Sequence, residues 1–407
     1  MKVQILFLIY GHVTLFCSCH QLIKMKRLLF ILLVCNCFSA IAQVPVLTGA
    51  ERTDAYLPLL QGKRVGMLVN QTSIIGNSHL VDSLLQRNVR IVKIFSPEHG
   101  FRGEADAGEK IGNTKDRKTG LPIVSLYGKH RKPDATDLAD VDILVFDLQD
   151  VGTRFYTYIS SLEELMEAAA EHHKPLLVLD RPNPNGHYID GPVLDTAFRS
   201  FVGMQPIPTV HGMTVGEYAK MLNGEGWLRY KAQCELTVIP CANYTHRTLY
   251  QLPVKPSPNL PNMASIYLYP STCLFEGTVF SLGRGTEKPF QVYGHPKLPK
   301  NLFSFTPRSM PGAKSPVLMD QTCYGYDLSH EAHADNKIRL DWIINAYQLY
   351  PDKEKFFNAF FNKLAGNKEL MQQIKAGKSP DEIRRTWEPG LAAFQQVRRK
   401  YLLYEDF

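Results

Sequence analysis

The stretch Val141 to Phe146 constrains the fold more than any other part of this chain. Its last four residues, Ile143-Leu144-Val145-Phe146, are continuously apolar. Such a run has no polar face, so it suits a strand covered on both sides, as in a parallel sheet. Short apolar stretches recur at Val65–Val69 and Leu176–Leu179, and β-rich runs at Val89–Phe95 and Ile123–Leu126. Helical spacing separates them. Leu80, Leu84 and Leu85 share one side of His79–Arg87, and Leu162, Leu165, Met166 and Ala169 share one side of Tyr158–His172. Strands alternating with helices predict a parallel sheet in a three-layer α/β domain.

Further along, Asn183–Phe201 is rich in Pro, Gly and Asp and reads as a long loop. Thr214 with Glu217 three residues later has the pattern of a capping box opening a helix. Leu236–Ile239 reads as one more strand, and Asp341–Tyr404 as mostly helical. The expected division is a leader over 1–42, a parallel-sheet α/β domain over 43–235 and a smaller α+β domain over 236–407, with the boundary between Glu225 and Asn243.

The leader follows from Met25-Lys26-Arg27, the apolar Leu28–Cys37 and the small-x-small pattern Ala40-Ile41-Ala42, which predict a signal peptide cleaved after Ala42. Its apolar part is short for a membrane span. No lipobox precedes Cys17, Cys19, Cys35 or Cys37. A periplasmic or secreted protein with no stable membrane span is expected. Losing Lys2, Lys24, Lys26 and Arg27 lowers the formal charge from +7 to +3. With no basic stripe, nucleic acid is not an expected partner. The remaining Cys234, Cys241, Cys273 and Cys323 fit either disulfides or buried free thiols.

Ligands of open parallel sheets bind at the carboxyl ends of the strands. Here those ends are polar: Asn70-Gln71-Thr72-Ser73, Ser96-Pro97-Glu98-His99-Gly100, Asp147-Leu148-Gln149-Asp150 followed by Arg154, and Asp180-Arg181. Paired carboxyl groups beside guanidiniums suit glycoside hydrolysis of an anionic sugar. Each residue also has a bland reading. Asp180-Arg181 fits a structural salt bridge, Asp150 a helix cap, and His99 and His211 satisfied structural histidines. Dinucleotide, P-loop and serine-hydrolase motifs are absent, so no cofactor is expected. A metal site from Glu98, His99, Asp147, Asp150 and His211 lacks helix-spaced ligands, and none is expected.

The motifs together resemble the exo-β-N-acetylmuramidase family, glycoside hydrolase family 171, earlier a domain of unknown function (DUF1343). They include Phe95-Ser96-Pro97-Glu98-His99-Gly100-Phe101-Arg102-Gly103, the run Asp147–Tyr158, Leu179–Pro184, His211–Glu217, Pro256–Pro261, Glu276-Gly277-Thr278, Gly283-Arg284-Gly285-Thr286 and Tyr401–Tyr404. The resemblance implies removal of N-acetylmuramic acid from the non-reducing end of peptidoglycan fragments, as in cell-wall recycling. It also implies a Rossmann-like parallel-sheet N-terminal domain, a smaller α+β C-terminal domain and a cleft between them. It implies a catalytic Glu98 with a partner among Asp147, Asp150 and Glu276. Asn70, His99, Arg154, Arg181, His211, Asn259 and Arg284 are the candidates for holding the sugar and its lactyl carboxylate. Leu282 and Val279 depart from the family pattern, where Glu and Asn are common. A non-catalytic muramyl-sugar binder and a metal-dependent hydrolase or deacetylase are the alternatives.

Overall fold

The computed structural model describes residues 44–98, 100–101 and 114–407. The expected signal peptide and His99 lie outside them. Seven strands form the main sheet: β1 (Val65–Val69), β2 (Ile91–Ser96), β3 (Thr114–Lys115), β4 (Pro122–Ser125), β5 (Ile143–Asp147), β6 (Leu176–Leu179) and β7 (Leu236–Ile239). Their order is β3-β4-β2-β1-β5-β6-β7, and every pairing is parallel except β3 against β4.

The apolar runs are explained by cover on both faces. Val65, Met67 and Val69 of β1 face a core containing Tyr56 and Leu60 of α1 (Thr53–Leu60) and Leu80, Val81 and Leu84 of α2 (Leu80–Leu85). Leu68, Leu144 and Phe146 face the opposite core. It holds Ile159, Leu162, Leu165 and Met166 of α4 (Tyr158–Glu171) and Tyr218, Met221 and Leu222 of α5 (Val215–Gly224). Between α2 and α4 in the chain, the short α3 covers Ala135–Leu138. The α/β class expected from the strand patterns is observed. Thr214 caps α5 as its spacing predicts: its hydroxyl accepts from Glu217 N, and Glu217 accepts from Thr214 N at 2.9 Å. The sequence patterns did not reveal α1, the edge strand β3 or the hairpin Ile74–Ile75/Ser78–His79. Two-residue strands are too short to leave a period.

Beyond β7, α6 (Met263–Thr272) leads to a three-stranded antiparallel sheet. It contains β8 (Val292–His295), β9 (Phe303–Phe305) and β10 (Cys323–Asp327), with β10 central. Helices α7 (Leu340–Leu349), α8 (Phe361–Ala365), α9 (Glu369–Lys375), α10 (Pro380–Arg385) and α11 (Glu388–Arg398) complete this part. The chain end then returns to the main sheet. Tyr404 Oη donates to Asp180 Oδ2 at 2.5 Å and accepts from Cys241 N at 2.8 Å. Cys234, Cys241, Cys273 and Cys323 are free and buried, as one of the two sequence readings had it. No helix among the described residues is long and apolar enough to cross a membrane.

Candidate active site

The strand order reverses between β1 and β5, so their carboxyl ends mark the crevice where a ligand is expected. The polar residues there largely satisfy one another. Asn70 Oδ1 accepts from Thr72 N at 2.9 Å and Thr72 Oγ1 at 2.6 Å, while Thr72 Oγ1 accepts from Gln149 N at 3.1 Å. Ser73 Oγ donates to the Asp147 carbonyl. Arg181 closes on Asp147 through Nε–Oδ1 at 2.5 Å and Nη2–Oδ2 at 2.9 Å, both side chains being buried. Burial alone lowers a guanidinium's pKa, but the charge of and hydrogen bonds to Asp147 outweigh it and raise that of Arg181. The salt bridge is thus Arg181 with Asp147, not with its neighbour Asp180. Asp180 instead accepts from Thr214 Oγ1, Gly216 N and Tyr404 Oη.

Asp150 is also buried. Its Oδ2 accepts from Gly152 N at 2.6 Å, and the cap position of α4 belongs to Thr157. Burial pushes the Asp150 carboxyl up to about 7. His211 Nε2 stands 4.0 Å from Asp150 Oδ2, and burial pulls this imidazole down to about 3.

Beside this stitched edge lies a cavity of about 450 Å³, a size typical of small-molecule sites. Glu98, just beyond β2, and Glu276, on the turn after α6, both line it. Asp147 and Asp150 do not. Tyr127 also lines it, just past β4, and its hydroxyl hydrogen-bonds to Glu98. Burial and the Glu98 charge push this phenol up to about 12. Tyr156 and Tyr158 form another stretch of wall, their rings edge to face at 4.8 Å. Asn70 reaches the cavity only through Tyr158, donating Nδ2 to its hydroxyl at 2.8 Å. Tyr269 and Phe290 supply further aromatic surface.

Arg284 lines the cavity and donates Nη2 and Nε to Glu276 Oε1 at 2.6 and 3.1 Å. Gly283 and Gly285 flank it with φ of 74° and 81°. Asn259 is occupied elsewhere, donating Nδ2 to Gly312 O at 2.9 Å. Arg154 is fully buried behind the wall. Its Nη1 donates to Pro192 and Ile207 carbonyls, both at 2.8 Å, and its Nη2 to Leu364 and Ala365 carbonyls at 3.0 and 2.9 Å. With no carboxylate beside it, burial lowers the Arg154 guanidinium to about 9. Arg154 braces the Pro192–Ile207 loop against α8, and both deliver residues to the cavity: Ser200, Phe201 and Val202 from the loop, Phe360 and Lys363 from around α8.

The structure therefore brings together Glu98, Glu276 and Arg284 from the sequence candidates and places Asn70 one contact away. It adds Tyr127, Arg131, Tyr156, Tyr158 and Lys363. The strand-end rule would have found Tyr127, which follows the run read as Ile123–Leu126. Arg131 and Lys363 carry no local signal. One group of potential metal ligands occurs among the described residues, His130, Asp134 and Asp137. Local structure explains it: Asp134 and Asp137 form the capping box of α3, and His130 bonds Asp137 at 2.7 Å.

A parallel-sheet domain and an antiparallel C-terminal region that both contribute a carboxyl group to one sugar-sized cavity define the architecture of a two-carboxylate site. Residues 65–264 match the family model "Exo-beta-N-acetylmuramidase NamZ, N-terminal" and residues 267–404 its C-terminal counterpart. The chain belongs to this family. It is 40% identical over 373 residues to the peptidoglycan beta-N-acetylmuramidase NamZ of Bacillus subtilis, covering 86% of this chain and 89% of that protein. Two crystal structures of DUF1343 family proteins from Bacteroides fragilis are similar. One has 51% identity and a TM-score of 0.83, with 89% of this chain and all of that chain covered. The other has 31% identity and a TM-score of 0.76, with 88% and 99% covered.

Proposed function

We propose that the protein is an exo-β-N-acetylmuramidase, a glycoside hydrolase that releases terminal N-acetylmuramic acid from peptidoglycan fragments in cell-wall turnover and recycling. The observation that carries this is the cavity itself, which Glu98 and Glu276 both line from different parts of the chain. Most glycosidases use two carboxyl groups flanking the glycosidic bond, one donating a proton to the leaving oxygen and the other acting as base or nucleophile. Glu98, hydrogen-bonded by Tyr127, is assigned the proton-transfer role. Glu276, oriented by Arg284, is assigned the second. The aromatic wall offers apolar faces to a sugar ring.

Neither alternative has comparable support. Asp147 is spent on Arg181 and does not join Glu98 as a metal ligand. A binder of an acidic sugar gains nothing from two carboxyl groups in its cavity.

The test is release of N-acetylmuramic acid from a chromogenic muramide. Glu98→Gln is expected to lower kcat by about 10²–10⁴-fold, the usual worth of a positioned proton donor or acceptor. Near-wild-type turnover in that variant removes Glu98 from the mechanism. Export to the periplasm or medium belongs to the same proposal and rests on the Met25–Ala42 pattern. The mass of the exported protein should place its N-terminus at Gln43; an intact leader overturns this.

A further inference from the structure

The cations near the cavity differ in what they have left to offer. Arg284 is committed to Glu276, Arg181 to Asp147, and Arg154 to four backbone carbonyls. Arg131 and Lys363 line the cavity and make no hydrogen bond or ion pair among the described residues.

Arg131 is held in place by its surroundings. The neighbours on either side are tied back to helices: His130 to Asp137 at 2.7 Å and Lys132 to Glu171 at 2.7 Å. The Arg131 guanidinium lies over the ring of Phe201, its Cζ 4.1 Å from the centroid, and Phe201 also lines the cavity. Stacking of this kind restricts the guanidinium while leaving its in-plane N–H groups free for a bidentate acceptor. Lys363 belongs to α8, which Arg154 fastens through the Leu364 and Ala365 carbonyls. Two cations without partners thus share a cavity with two carboxyl groups, which would repel an anionic sugar unless opposite charge met it there.

We infer that Arg131 and Lys363 form the subsite for the lactyl carboxylate of N-acetylmuramic acid and so select this sugar over N-acetylglucosamine, which lacks that group. The inference rests on the muramidase reading of the cavity. Arg131 supplies a planar two-donor contact and Lys363 a point charge. A stem peptide joined through the lactyl carboxyl turns the anion into a neutral amide, so muramyl residues free of peptide are the preferred substrates.

Calorimetric titration with N-acetylmuramic acid and with its lactyl methyl ester tests this, because the ester keeps the shape and loses the charge. The wild type should bind the acid about tenfold or more tightly than the ester, in line with the worth of a charged hydrogen bond. In the double variant Arg131→Met, Lys363→Met the acid should weaken to the level of the ester, with ester affinity unchanged. Raised salt should narrow the wild-type preference. A wild-type acid-to-ester ratio that survives in the double variant overturns the subsite, as does equal weakening of both ligands. Failure of the wild type to turn over any muramide is a separate result, which removes the muramidase reading and the subsite with it. Both side chains are exposed, so thermal melts should show the variants folded.

Discussion

Arg284 places both of its donors on a single oxygen of Glu276: Nη2 at 2.6 Å and Nε at 3.1 Å from Oε1. Among the described residues the other oxygen, Oε2, accepts only from the Cys273 thiol, at 3.8 Å. The guanidinium, stacked 4.9 Å from the Phe290 centroid, fixes the plane of the carboxyl group without occupying both of its oxygens. The carboxylate is thus held in one orientation by a partner whose own position is set by packing.

Glu276→Gln is therefore expected to abolish most turnover, by about 10²-fold or more in kcat, with little change in KM. Arg284→Met should give a smaller loss, about tenfold, because the carboxyl group survives and only its orientation is relaxed. Steady-state kinetics on a chromogenic muramide separate the two. Equal losses in both variants would mean that Arg284 itself contacts the reacting group.

Asp150 makes a prediction about stability and pH. Burial raises its folded-state pKa from an ordinary 3.8 to about 7. The folded protein thus holds this proton over a range where the unfolded chain has lost it. The resulting stability is present below about pH 4 and is lost as pH rises through 7, at up to roughly 1.4 kcal/mol per pH unit. Asp150→Asn keeps an acceptor for Gly152 N and cannot ionise. Its melting temperature relative to wild type should rise between pH 5 and pH 8, by a few degrees. His211 works in the opposite sense: with its pKa lowered to about 3, its contribution is lost as pH falls below about 6.5. A wild-type-to-variant difference that stays flat from pH 5 to pH 8 would show that Asp150 is not the source.

Arg154 should matter for stability first and for substrate affinity second. Arg154→Met leaves the carbonyls of Pro192, Ile207, Leu364 and Ala365 without their donor in a buried setting. Its expected cost is about 3 kcal/mol, at roughly 1–3 kcal/mol for each buried group left unsatisfied and with partial relaxation. Gly366→Ala attacks the same brace from the other side. Gly366 has φ of 78°, and an added Cβ would lie 2.5 Å from Arg154 Nη2. Both variants should melt earlier and raise KM more than they lower kcat, since the wall carrying Phe201, Phe360 and Lys363 loosens. Unchanged melting in Arg154→Met would contradict the bracing role.

The sequence by itself determined the layered architecture and the polar strand edge, including Glu98 just beyond β2. Those features are written locally. A strand covered on both faces must be apolar throughout, a capping box occupies four consecutive positions, and a strand end is marked by the change from Val and Phe to polar residues. Only the tertiary structure decided how the charges are spent. Asp147, Asp150, Arg154 and Arg181 look alike in sequence to Glu98, Glu276 and Arg284, because composition at a strand end does not record a partner. Folding closed Asp147 on Arg181, buried Asp150 beside His211, and turned Arg154 into a brace. It brought Glu276 and Lys363 to the cavity of Glu98 from far along the chain. Pairing between charges is settled by distances of a few ångströms in space, and sequence separation says nothing about those until the core has packed.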